Sequence, residues 1–247
     1  MNPDKFCNFD CVYCEVNRAT PPSDRTVDLK VLAEELERLL TLNCQSRLRE
    51  LPYLRTVPEE LLTLKEVALS GDGEPTLCAN FEEVVREVIH IRSCRKFPFF
   101  KIVLITNATG LNRPEVRLGL GHLTSEDEIW AKLEAGTQQY MDKVNRPKDI
   151  TLPKLLRNIL LIARERPVVI QSLFPLIGGE EPPAEEIEQY VQRLRELKSD
   201  GARISLVQIY SAHRAPHQPN CAHLRLKSLS SIAQRVREVT GLAAEVF

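Results

Sequence analysis

Short apolar runs alternating with amphipathic helical stretches constrain this chain most. The runs "KEVALSG" (65–71), "FKIVLITN" (100–107), "EIWAKLEAG" (128–136), "VVIQSLFPL" (168–176) and "RISLVQIYS" (203–211) are mostly apolar along their length, which predicts buried strands. Between them, apolar residues recur at helical spacing over 27–42 (with Asp28 near the start), over 80–91 on Val84, Val88 and Ile91, and over 151–166. Two further helices are predicted, over 183–197 on Ile187, Tyr190, Val191, Leu194 and Leu197, and over 228–239. Residues 43–64 carry no such period and are expected to be irregular, with an extra helical turn. Alternation of this kind produces right-handed βαβ units and a parallel sheet. The expectation is an α/β fold, a partial (open) β/α barrel of about six parallel strands, forming one domain over residues 1–247. In such folds the chemistry sits where strands run into the following loops. Here those places are 71–77, 106–107, 132–134 and 208–214.

Composition narrows the class. The 247 residues are 43% hydrophobic and 27% charged with a formal net charge of −1, enough to bury a core. A near-neutral chain does not favour a broad nucleic-acid footprint, although a local basic groove stays compatible with it. No run of about 18 apolar residues is present, so no membrane span is expected. Neither is there a basic-then-apolar leader, and a cytoplasmic location is the expectation.

Seven cysteines make an odd number, and three of them, Cys7, Cys11 and Cys14, fall in "CNFDCVYC". Clustering of that kind in a reducing compartment points to a metal or to catalysis. Structural zinc normally takes four ligands, commonly as paired CxxC halves. No second pair exists: Cys44, Cys78, Cys94 and Cys221 are scattered, and all five histidines lie far along the chain. A 4Fe–4S cluster normally takes four thiolates as well, so three local ones would leave one iron open to a substrate. A zinc or plain thiol loop is the competing reading. Cys44, Cys78 and Cys94 are expected to be ordinary buried or half-buried thiols, and nothing in the sequence assigns Cys221 a role.

With Tyr13 as the aromatic before its last cysteine, this loop resembles the CxxxCxxC signature of radical S-adenosylmethionine (SAM) enzymes. The resemblance implies a 4Fe–4S cluster on Cys7, Cys11 and Cys14, with SAM as the fourth ligand. It further implies reductive cleavage of SAM to a 5′-deoxyadenosyl radical, hydrogen abstraction from a substrate, and a flavodoxin or ferredoxin as electron donor. "SGDGEPTL" (70–77), placed after an apolar strand, is similar to the superfamily's Gly-Gly-Glu stretch. On that likeness Gly71, Asp72, Gly73, Glu74, Pro75 and Thr76 cradle the SAM amino group, with Asp72 departing from the usual pattern. Glycines let a backbone approach a ligand closely, and a carboxylate attracts an ammonium. Tyr13 backbone would meet the adenine, and Thr106, Asn107, Lys132 and Glu134 the carboxylate or ribose. Each has a plainer reading: a turn cap for Thr106 and Asn107, a strand-end ion pair for Lys132 and Glu134. Gln171 and Gln208 could touch SAM or substrate, or satisfy one another.

"ITNATGL", "WAKLEAGT", "VNRP", "VQIYS" with His213 and Arg214 after it, and the "EVF" ending resemble the branch that contains the wyosine-type tRNA synthases and small relatives. Six residues precede Cys7, so the superfamily's first strand is expected to be short or missing. The wyosine synthases also carry further cysteines and a lysine ahead of this loop, for which this sequence has no room. An RNA base therefore remains a substrate candidate but is not favoured over a small molecule. A glycyl-radical activase acting on a partner protein and a non-catalytic metal-binding module are the alternatives. Tyr210 and Arg214, with His213, His217 and His223, gather at the last strand's exit, where they suit a polar substrate or a solvated loop equally.

Overall fold

The computed structural model describes residues 1, 5–16, 26–212 and 220–247. The apolar runs become β1 (Glu66–Leu69), β2 (Lys101–Thr106), β3 (Glu128–Lys132), β4 (Val168–Leu173) and β6 (Ile204–Tyr210), joined by β8 (Ala244–Val246). These six lie in the order β1-β2-β3-β4-β6-β8 and every neighbouring pair is parallel. Because order in space follows order in the chain, the sheet winds one way, as an open barrel does. A separate antiparallel pair is formed by β5 (Pro175–Ile177) and β7 (Cys221–His223). The helices are α1 (Leu29–Cys44), α2 (Phe81–Ser93), α3 (Pro114–Gly121), α4 (Gln138–Val144), α5 (Leu152–Glu165), α6 (Ala184–Ser199) and α7 (Leu226–Thr240).

Pleating explains the layers. Ile102, Leu104, Ile129, Ala131, Ile170, Val207 and Ile209 point away from the barrel and are wholly buried. Each large apolar side chain buried there stabilises the fold by about 2 kcal/mol. On the opposite face Ile105, Trp130, Lys132, Gln171, Leu206 and Tyr210 are half-buried, while Val103, Val169, Leu173 and Gln208 are buried. The pleat thus divides the sheet into a packed outer layer and a more open interior. α5 buries Leu152, Leu155, Ile159, Ile162 and Ala163, whereas α1 buries only Leu40 and Leu42. Among the described residues no strand precedes β1, and the sixth strand comes from "AEV" near the far end of the chain.

Several expectations need correction. The run 128–136 leaves the sheet at Lys132, and 168–176 divides after Leu173, where β5 turns away to pair with β7. Residues 43–64 form three single 3-10 turns (Leu48–Glu50, Pro52–Leu54 and Glu59–Leu61) rather than one helical turn. Helices α3 and α4 were not legible: Gly119 and Gly121 dilute the first, and the second has only seven residues. Cys78 is buried as expected, but Cys44 and Cys94, at the carboxyl ends of α1 and α2, are exposed.

Candidate cofactor site at the strand ends

The cysteine loop is laid across the carboxyl ends of β2 and β3 by backbone hydrogen bonds. Asp10 N–H donates to Asn145 O at 3.0 Å, Val12 N–H to Val144 O at 2.8 Å, and Lys148 N–H to Asn8 O at 2.9 Å. The "VNRP" segment (144–147) is therefore a seat for the loop, which explains its presence beside α4. On the other side Glu74 N–H donates to Phe6 O at 2.9 Å, joining the glycine-containing turn to the same loop.

Glu74 is 3% exposed and its carboxylate is engaged by the chain itself. Oε1 accepts from Thr106 Oγ1, from Thr76 Oγ1 at 2.6 Å and from Thr76 N–H at 3.1 Å, while Oε2 accepts from Asn107 N–H at 2.7 Å. Burial pushes this carboxyl above its usual range, and those bonds, led by Thr106, pull it back. Glu74 thus locks the turn to the end of β2, and Thr106 caps in the way its plainer reading foresaw. Pro75 and Thr76 are buried with it, whereas Gly71 and Asp72 stay exposed and Gly73 is half-buried. A Cβ on Gly110 would stand 2.9 Å from Thr76 O, so only glycine lets the 106–110 loop press on this turn.

Asn107 presents its amide to the cysteine loop. Its Oδ1 accepts from Thr109 N–H at 3.0 Å and Thr109 Oγ1 at 2.7 Å, which turns Nδ2 toward Asn8 Oδ1 at 3.0 Å and Cys7 Sγ at 3.7 Å. Ala108 beside it has φ of 63°, a left-handed value uncommon for alanine. Asn158 of α5 holds that turn, its Nδ2 donating to Ala108 O at 3.1 Å and Thr109 O at 3.0 Å.

Beneath the second half of the loop lies a charged cluster. Glu134 Oε2 accepts from both Tyr13 Oη and Asn145 Nδ2, and Asn145 Nδ2 also reaches Cys11 Sγ at 3.5 Å. Lys132 Nζ stands 4.0 Å from Glu134 Oε1 and 5.3 Å above the Tyr13 ring. No hydrogen bond of good geometry reaches the buried Glu134 Oε1 among the described residues, although the Leu173 N–H faces this carboxylate. Burial raises the Glu134 carboxyl, with Lys132 opposing. Burial also pushes the Cys11 thiol up to about 12, with Glu134 adding to the rise. For Lys132 burial favours the neutral form, but Tyr210, Glu134, Cys11 and Glu74 outweigh it and hold the ammonium protonated. The loop after β3 is held from below: Glu186 of α6 accepts from Gly136 N–H at 2.5 Å and from Thr137 Oγ1 at 2.6 Å. A Cβ on Gly136 would sit 2.7 Å from Tyr190 Cα and closer still to its backbone nitrogen, so α6 can approach only a glycine.

Thus Tyr13, Lys132, Glu134 and Tyr210 are brought together beside Cys11, and Thr106, Asn107 and Glu74 beside Cys7. Gln171 lies next to Lys132 in register and donates Nε2 to Gln208 Oε1 at 3.2 Å, so the two amides do partly satisfy one another. Arg214 falls outside the described residues, as do His213 and His217. Reasoning from sequence missed Asn8, Thr109, Asn145, Asn158 and Glu186. Asn8, Thr109 and Asn145 lay inside quoted motifs, a signal present but not used, while Asn158 and Glu186 sit singly on helices.

Cys7, Cys11 and Cys14 are all half-buried. Among the described residues no three Cys, His, Asp or Glu side chains are arranged to hold a metal ion, so the three thiols share a loop without converging on one point. The donor set nevertheless fits an iron–sulfur cluster: three soft sulfurs on one loop, two of them receiving buried amide N–H groups.

No protein-family model matches the chain. It is 24% identical over 215 residues to a UPF0026 protein of Helicobacter pylori, covering 86% of this chain and 61% of that protein. It is 26% identical over 203 residues to a UPF0026 protein of Methanocaldococcus jannaschii, covering 79% and 54%. The chain therefore spans little more than half the length of these curated relatives. Among solved structures, it superposes on SuiB of Streptococcus suis bound to its precursor peptide SuiA with a TM-score of 0.67 at 12% identity, covering 100% of this chain and 47% of that one. A radical SAM methyltransferase from Sphaerobacter thermophilus matches with a TM-score of 0.67 at 15% identity, covering 98% and 63%. TYW1 with a lysine–pyruvate adduct bound matches with a TM-score of 0.60 at 16% identity, covering 94% and 70%. The fold that these structures share with the chain is a partial α/β barrel, as the alternation of strands and helices led one to expect.

Proposed function

We propose that this chain is a radical SAM enzyme, with its 4Fe–4S cluster on Cys7, Cys11 and Cys14 and SAM bound beside it. One observation carries the reading: the cysteine loop is seated over a buried Lys132–Glu134 pair whose Oε1 receives no hydrogen bond of good geometry among the described residues. When bound, the cluster supplies the electron that splits SAM and so the radical that takes hydrogen from a substrate.

The chain's own part is binding and exclusion. SAM carries an ammonium, a carboxylate and a sulfonium, so it is a net cation; Glu74, Glu134 and Lys132 offer two carboxyls and one ammonium. Lys132 suits the SAM carboxylate, and Glu134 Oε1, ion-paired with Lys132 but without a hydrogen bond, suits a hydroxyl or ammonium. Since Glu74 is fully engaged in holding its turn, the SAM amine falls to the backbone carbonyls of Gly71–Gly73. A small molecule or a single base would lie against the inner face, where Ile105, Trp130, Gln171 and Leu206 are half-buried and Tyr210 stands beside Lys132. A flavodoxin- or ferredoxin-type protein is the proposed electron donor. Among the described residues no helix is long and apolar enough to cross a membrane.

The test is anaerobic reconstitution with iron and sulfide, then reduction with dithionite in the presence of SAM and chromatography for 5′-deoxyadenosine. About four irons per chain are expected, with product that disappears in Cys7→Ala, Cys11→Ala and Cys14→Ala. About one zinc per chain and no SAM cleavage would overturn the reading and favour a metal-binding module.

A further inference from the structure

Two of the three loop sulfurs are met by an asparagine amide that comes from outside the loop. Asn107, just past β2, aims Nδ2 at Cys7 Sγ (3.7 Å), and Asn145, just past α4, aims Nδ2 at Cys11 Sγ (3.5 Å). Both side chains are deeply buried, at 6% and 3% exposure, so water does not compete for their amides. The orientation of both amides is set by their other partners. Asn107 Oδ1 is fixed by Thr109 N–H at 3.0 Å, and Asn145 Nδ2 faces the Glu134 carboxylate, which only accepts unless it is protonated. Among the described residues no side-chain amide donates to Cys14 Sγ.

We infer that Asn107 and Asn145 are positioning residues that set the reduction potential of the cluster, by donating N–H···S hydrogen bonds to two of its three thiolates. This rests on the function proposed above. The physical cause is charge. Reduction adds an electron to a thiolate-ligated cluster, and N–H donors aimed at its sulfurs stabilise the more negative state, so they raise the potential. The donors belong to the barrel rather than to the loop, so the strand ends tune the cluster that the loop holds. Backing differs between them: Asn145 is polarised by the Glu134 carboxylate, whereas Asn107 is backed by the neutral Asn8 and Thr109.

The experiment is an EPR-monitored redox titration of the anaerobically reconstituted full chain, comparing wild type with Asn107→Leu, Asn145→Leu and Asn158→Leu. Each of the first two is expected to lower the midpoint by about a tenfold change in the reduction equilibrium, about 59 mV for one electron. Asn158→Leu deletes an equally buried amide that bonds only backbone carbonyls, and it should leave the midpoint in place. Unchanged midpoints in Asn107→Leu and Asn145→Leu proteins with full iron and sulfide would overturn the inference. Should either variant fail to fold, wild-type protein labelled with ¹⁵N in its asparagine amides decides by pulsed EPR of the reduced cluster. A ¹⁵N coupling from asparagine supports the inference, and its absence defeats it. A wild-type chain that takes up no iron and sulfide defeats instead the function on which it rests.

Discussion

The two ends of the barrel treat a buried carboxylate in opposite ways. At the amino ends of the strands Asp127 meets Arg92 at 2.6 Å, with side-chain exposures of 0% and 7%, and also accepts from Ile102 N–H at 2.8 Å and Thr124 N–H at 2.8 Å. Burial would raise this acid, but the Arg92 guanidinium and the two N–H groups win and hold it below its usual range. At the carboxyl ends Glu74 accepts from the Thr76 and Thr106 hydroxyls and from backbone N–H groups, and Glu134 has a lysine at 4.0 Å and an oxygen without a hydrogen bond. Burial wins there, and both acids are pushed up. One end has matched its charges within the chain; the other keeps electrostatic capacity that a cationic ligand can use. That is the division between stability and chemistry expected of a barrel.

The largest effect should come from the matched end. Asp127→Asn leaves Arg92 buried without a counter-charge, and about 3–5 kcal/mol of stability should go. That corresponds to a fall of roughly 10 °C in the melting temperature, read by calorimetry. Asp127 also fixes a sign. Its folded pKa is depressed, so its contribution is present above the unfolded value near 3.8 and is lost as pH falls through the folded value. Urea titrations of wild type should steepen in acid below that point, and the Asn variant should lack the extra loss.

Glu74→Ala should be the next largest, about 3 kcal/mol, because it strands the buried Thr76 N–H and Asn107 N–H donors together. Urea denaturation measures it, and loss of reconstituted iron should accompany it, since the Phe6 and Asn107 ties to the cysteine loop loosen. A stability loss equal to that of Asp127→Asn with full iron retained would erase the distinction between the ends.

Glu134 should show the opposite sign to Asp127. Its raised folded pKa means its favourable contribution is present below about 4.5 and is lost as pH rises through the folded value. The stability of wild type relative to Glu134→Gln should accordingly decline as pH rises across that window. Tyr13→Phe is the mildest change, removing one hydroxyl from Glu134 at about 1 kcal/mol, measured as a small shift in the urea midpoint.

Much of the fold was legible because its signals are local. The run "KIVLIT" cannot bury itself except as an inner strand, and Asp28 capping Lys30 N–H at 2.9 Å and Val31 N–H at 3.1 Å announces α1. Strands β7 and β8, with three residues each, are too short for a period of two to register, and only neighbours already in place define them. The same holds for the site. Cys7, Cys11, Cys14 and the Gly71–Thr76 turn stand out as candidates because their spacing is local in the chain. Asn145 could not be assigned its part, because an asparagine gains a role only from what faces it, and Cys11 lies 134 residues away in the chain.

By itself, then, the sequence determined the parallel α/β class, the loop of three thiols and the strand ends where polar residues collect, since periodicity and spacing are properties of neighbours along the chain. Tertiary structure alone decided that Glu74 locks its own turn, that Glu134 keeps an oxygen without a hydrogen bond, and that two distant amides face the sulfurs. Burial and hydrogen-bond partnership between residues far apart in sequence exist only once the barrel has closed around them.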